Sequence, residues 1–93
     1  MQVKQVFMVD FNEFADKVAR VSNLYHNDVI DALAYNNSHI ENREMFVVYA
    51  DEYKSYFTEA ISTYTDNPEV LTAVLKVAAE LFSKYPKIYF VWE

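Results

Sequence analysis

The chain has 93 residues and not one is glycine. Phosphate-cradling loops, the dinucleotide fingerprint and the nucleophile elbow all need backbone that a Cβ would obstruct, so these sites are excluded. Tight hairpins with primed turns are also disfavoured, although Asn36-Asn37 or Asn67 could take positive φ. Strands should therefore be joined by helices. Cysteine is absent too, which removes disulfides, thiolate metal sites and cysteine nucleophiles, and suits a reducing cytoplasm. No segment is apolar for long enough to cross a membrane, since the most hydrophobic helix carries Lys76 and Glu80. The opening MQVKQVFMVD lacks the apolar core of a signal peptide. Basic residues are few: 8 Lys and Arg stand against 14 Asp and Glu, a net charge of −6. Direct binding to a phosphate backbone is disfavoured by that sign, and a basic partner is favoured.

What is present is apolar and aromatic. With 53% hydrophobic and 17% aromatic residues, the chain is expected to fold as one globular domain over 1–93. Its last third, DNPEVLTAVLKVAAELFSKYPKIYFVWE, organises the rest. Asp66 or Asn67 can cap a helix that Pro68 opens, with Glu69 beside the positive end of the dipole. Val70, Leu71, Val74, Leu75, Val77, Ala78, Leu81, Phe82 and Tyr85 form a wide apolar stripe, and Pro86 stops the helix. KIYFVWE then reads as a strand with Ile88, Phe90 and Trp92 on one face and Tyr89 and Val91 on the other.

Earlier in the chain, residues 2–9 read as a strand with Val3, Phe7 and Val9 on one face. Asp10 and Glu13 have capping-box spacing for a helix along Phe11, Phe14, Ala15, Val18, Val21 and Tyr25, with Glu13–Lys17 and Asp16–Arg20 as i, i+4 pairs. His26-Asn27-Asp28 reads as a kink or a break at which Asn27 caps a short second helix along Val29, Ile30 and Leu33. Residues 39–44 are polar and read as a loop. MFVVYA, residues 45–50, is apolar without alternation, as in a central strand covered on both faces or one whose second face a partner covers. Asp51 is expected to cap a helix along Tyr53, Tyr56, Phe57, Ala60, Ile61 and Tyr64.

The expected fold is α/β in the α+β sense: a small three-stranded mixed sheet packed by three to four helices, in the order β-α-(α)-β-α-α-β. The helical hairpin before the third strand should return it antiparallel to the second. The first connection is parallel if residues 11–35 act as one helix. The last strand carries few charges, and pairing across its edge offers a route to a homodimer.

Three chemical readings can be weighed. His26, Asp28, Asp31, His39 and Glu41 supply nitrogen and oxygen ligands within a short span, but their spacing matches no zinc or EF-hand pattern. A histidine beside a helix cap is the plainer account. The acids fall at helix starts and on polar faces rather than as a carboxylate pair, and no serine sits in a strand–turn–helix corner, so no enzyme and no cofactor are expected. The third reading starts from where the charge lies. Residues 27–69 hold nine acids against Arg43 and Lys54, a net of −7, while the flanks are nearly balanced. Glu13/Asp16, Asp28/Asp31 and Glu41/Glu44 are i, i+3 pairs, followed by Asp51, Glu52, Glu59, Asp66 and Glu69. On a helix such pairs lie about 5–6 Å apart on one face, a spacing comparable to that of phosphates along one DNA strand. A solvated acidic surface without function has the same pattern.

In length, acidity, lack of glycine and cysteine, and richness in Tyr, Phe and Asn, the chain resembles the DNA-mimicking anti-restriction proteins of bacteriophages, in particular the Arn type of T-even phages. The resemblance rests on whole-chain character and on the acidic set from Asp28 to Glu69. It implies a non-enzymatic inhibitor acting in the host cytoplasm, whose carboxylates occupy the DNA site of a restriction nuclease or another DNA-binding protein. A small homodimeric interaction module is the alternative. A metal-binding protein or enzyme using His26, Asp28 and Asp31 comes third.

Overall fold

The computed structural model describes residues 7–35, 37–64 and 68–93; the side chains of Thr63 and Tyr64 also lie outside the description, as do the expectations for residues 2–6, Asn36, Asp66 and Asn67. In chain order the elements are β1 (Met8–Asp10), α1 (Phe11–Ser22), α2 (His26–Ala34), α3 (Ser38–Glu41), β2 (Phe46–Tyr49), α4 (Tyr53–Tyr64), α5 (Pro68–Phe82) and β3 (Lys87–Val91). The expected three-stranded mixed sheet and its helical connections are present, and β3 does return antiparallel to β2.

The strand order corrects the expectation for the last strand. It is β1-β3-β2, so β3 is central, parallel to β1 and antiparallel to β2. β3 pairs with β1 on one side and β2 on the other, so it is not the edge expected to meet a second copy; of the two readings of MFVVYA the central strand is not met, and β2 is an edge strand. The helical segment before β2 also breaks, so the condition for a parallel first connection is not met and β1 and β2 are not neighbours. The break falls earlier than His26. Asn23 takes a left-handed conformation (φ 57°), and the Leu24 N–H bonds back to the Ala19 carbonyl at 2.8 Å, ending α1 as a helix stop does. Asparagine adopts this conformation more readily than most residues because its short polar side chain can hydrogen-bond locally and offset the steric cost. The second helix then starts at His26 with Tyr25, not Asn27, at its N-cap. Arg43 is the other non-glycine residue with positive φ among the described residues, and Asn37 is extended.

Local chemistry explains the remaining ends. The Asp10 carboxylate accepts the Asn12 N–H at 3.0 Å and caps α1. Asn37 caps α3 by accepting the His39 N–H, so part of the expected loop 39–44 is a short helix that buries Ile40. The Tyr56 N–H bonds the Glu52 carbonyl at 2.9 Å, so Glu52 rather than Asp51 stands at the start of α4. α5 ends at Phe82, before Tyr85 and Pro86, through a tightened turn in which the Lys84 N–H reaches the Leu81 carbonyl.

The helices pack in a circle: α1 on α5 and α2, and α4 on α2 and α5. Lys17 spans α1 to α5, meeting Glu80 at 3.3 Å rather than its expected partner Glu13. Arg20 does pair with Asp16, through Nε at 3.0 Å. The sheet packs against α1 and α4. Phe90 lies within ring contact of Phe11, Phe14, Phe46 and Phe57, and Tyr53 stacks on Phe82 with centroids 4.7 Å apart. Val21 and Tyr25, expected on the apolar face of α1, are exposed, and Ala19 takes the buried position. No polar or charged residue is buried among those described. No described helix is long and apolar enough to cross a membrane.

Candidate functional site: the acidic middle and the edge of the second strand

The acidic residues fall into three groups. On α2, burial of Val29, Ala32 and Leu33 turns Asp28, Asp31 and Tyr35 outward along one stripe. On and around α3 and α4, Glu41, Glu44, Asp51, Glu52 and Glu59 are exposed. Glu52 and Glu59, seven residues apart, share one face of α4 with Ser55. Because α2 packs on both α3 and α4, these two groups belong to one contiguous part of the molecule. The remaining acids are Glu13 and the Arg20-paired Asp16 on α1, which also packs on α2, and Glu69 in the first turn of α5. Asp66 lies outside the described residues. Glu69 borders a shallow hollow of about 410 Å³ with Val21, Ser22, Pro68 and Lys76.

Between Asp28 and Tyr64 the chain carries seven acids and two bases, a net of −5. One base is engaged elsewhere, since the Arg43 guanidinium lies over the Trp92 ring, 5.8 Å from its centroid. The buried indole Nε1 of Trp92 has no hydrogen-bond partner among the described residues. Glu44 holds His39 Nδ1 at 3.2 Å. The other histidine, His26, places Nε2 3.2 Å from the Asn12 carbonyl on α1. His26, Asp28, Asp31 and His39 thus do not converge, and no group of three His, Asp or Glu among the described residues is arranged to hold a metal ion.

Spacing did not reveal a groove of about 530 Å³ along the outer edge of β2. Met45, Phe46 and Val47 form one wall, Glu52 with Ser55, Tyr56 and Glu59 of α4 another, and His39 and Tyr89 close it. The Tyr56 phenol, half-buried, accepts a hydrogen bond from the Asn37 side-chain amide. Burial, aided by nearby Glu52, raises its pKa above the usual 10.0, while the Asn37 bond opposes the shift. The backbone pattern shows what the groove exposes. The Ala50 N–H bonds the Pro86 carbonyl at 2.9 Å, so by alternation Phe46 and Val48 also point their backbone groups at β3. Val47 and Tyr49 then point theirs out of the sheet. Tyr49 is already closed off: its N–H meets the Glu52 carboxylate at 3.3 Å and its carbonyl takes the Glu52 N–H. Val47 faces the groove. The signal that could have located this edge was MFVVYA followed by an acidic helix start, had β2 been placed at the edge.

Set against protein-family models, curated proteins and solved structures, the chain finds no match.

Proposed function

We propose that the protein is a non-enzymatic inhibitor whose acidic middle stands in for DNA phosphates and occupies the DNA-binding surface of a basic cytoplasmic protein, a restriction nuclease being the favoured target. The observation that carries this reading is the exposure of Asp28, Asp31, Glu41, Glu44, Asp51, Glu52 and Glu59 on mutually packed elements, where Arg43 is turned to Trp92. A surface of this kind attracts cationic grooves and loses affinity as salt rises. The whole-chain resemblance to phage DNA mimics supports the same reading. The test is capture of host-lysate proteins on the immobilised chain. Duplex DNA and added salt should release a nuclease or other DNA-binding protein, and the variant carrying Asp28→Lys and Asp31→Lys should fail to retain it. Capture indifferent to DNA, salt and these substitutions rejects mimicry.

A second reading is a homodimeric interaction module. One observation favours it: Met8, Met45 and Tyr49 are 56%, 58% and 44% exposed on the sheet face away from the helices. Sedimentation equilibrium decides it, with a dimer that Met8→Ser plus Met45→Ser dissociates as the supporting result and a monomer as the rejecting one.

A further inference from the structure

We propose that the groove between β2 and α4 binds an extended basic peptide, which adds as a fourth strand to the free edge of β2. This goes beyond the competition with DNA proposed above and does not depend on it, because the recognising groups are a backbone edge and two glutamates rather than a spread of carboxylates.

The backbone sets where such a peptide can lie. Val47 directs its N–H and carbonyl away from β3, into the groove. These are the groups an added strand uses. Tyr49 cannot extend the pairing, because Glu52 already takes its N–H and donates to its carbonyl. The added strand is therefore confined to the Met45–Val47 end, where the groove opens.

The side chains set the chemistry. Glu52 and Glu59 line the α4 wall. At 1.5 Å of rise per residue they stand about 10.5 Å apart along the helix. Alternate residues of a strand project to the same side about 6.8 Å apart, so two lysines or arginines at i and i+2 can span both carboxylates with their long stems. The intervening residues face Met45, Val47 and Tyr89 on the outer side of the sheet, where apolar side chains fit. The expected sequence alternates basic and β-branched residues. A second copy of this chain is the poorer occupant, because pairing two β2 edges about a twofold axis would set Glu52 and Glu59 of one copy against the same residues of the other.

The experiment titrates the 93-residue chain with a blocked heptapeptide of alternating lysine and valine, followed by ¹H–¹⁵N spectra and calorimetry. The Val47 amide and its neighbours should shift. N-methylation of the peptide backbone in the phase that faces β2 should weaken binding about tenfold, the loss of roughly one to two hydrogen bonds, while methylation in the other phase should not. Glu59→Gln should weaken binding a few-fold and Asp28→Asn should leave it unchanged. Equal binding of both N-methyl phases, equal binding of a heptapeptide with glutamate in place of each lysine, shifts confined to α2, or no binding would each overturn the proposal. Edge-to-edge dimerisation of the protein through β2 would do so as well. Loss of DNA-releasable capture with peptide binding intact would reject only the mimic reading; the reverse would reject only this one.

Discussion

The two faces of the sheet are made from alternate residues of the same short strands, and they differ in almost every respect. On the helix side Phe46 is 6% exposed and Val48, Ile88 and Phe90 are fully buried, with Phe90 ringed by four other aromatic side chains. On the other side Met8, Met45 and Tyr49 are open. Both faces are apolar, so hydrophobicity alone does not separate core from surface here. The helices do: they supply atoms to pack against one face only, and close packing is what turns apolar area into stability. The other face and the β2 edge are not covered by a helix among the described residues.

The sharpest test of this contrast is Phe90→Ala, which empties the middle of the aromatic cluster and should cost about 3–5 kcal/mol of stability in urea unfolding. A value below 1 kcal/mol would mean that the inner face is not a packed core. Val48→Ala, on the same face but smaller, should cost about 2 kcal/mol. Tyr56 lies at the rim between the faces, half-buried in the groove wall. Its folded pKa is raised, so the folded state holds the phenol proton more tightly than the unfolded chain does. The stability this contributes is complete below the unfolded value of 10.0 and is lost as pH rises through the folded value. Tyr56→Phe should flatten that part of the alkaline unfolding profile; an unchanged profile would place the phenol in water. The smallest effect belongs to the open face. Met45→Ser should change stability by less than about 0.5 kcal/mol, measured by the same urea titration, and a larger loss would show that something covers this face.

Some of this was legible in the residues. The apolar stripes of α1, α4 and α5 located those helices, Asp10 marked a true cap, and the facing of Ile88 and Phe90 against Tyr89 was as alternation required. The errors have physical causes. The apolar spacing runs on through Val21 and Tyr25, so periodicity alone carried the first helix past Asn23, where the backbone turns left-handed. α3 spans four residues, too few for a helical period to register. MFVVYA does not alternate because its outward residues Val47 and Tyr49 are as apolar as its inward ones, so the residues left open whether it is central or covered by a partner. Of the acids, the Asp28/Asp31 stripe followed from spacing, whereas the approach of Glu52 and Glu59 to the edge of β2 did not.

The sequence by itself determined the class of fold, the helix faces, the absence of every glycine- or cysteine-dependent chemistry, and a surplus of negative charge in residues 27–69. These are properties of composition and of neighbours along the chain. Tertiary structure alone decided that β3 lies between β1 and β2, that β2 is an edge strand, and that α4 faces it across a groove. Strand order depends on pairings such as Met8 with Tyr89 and Val47 with Tyr89, between residues tens of positions apart, and no local pattern encodes which partner a strand will take.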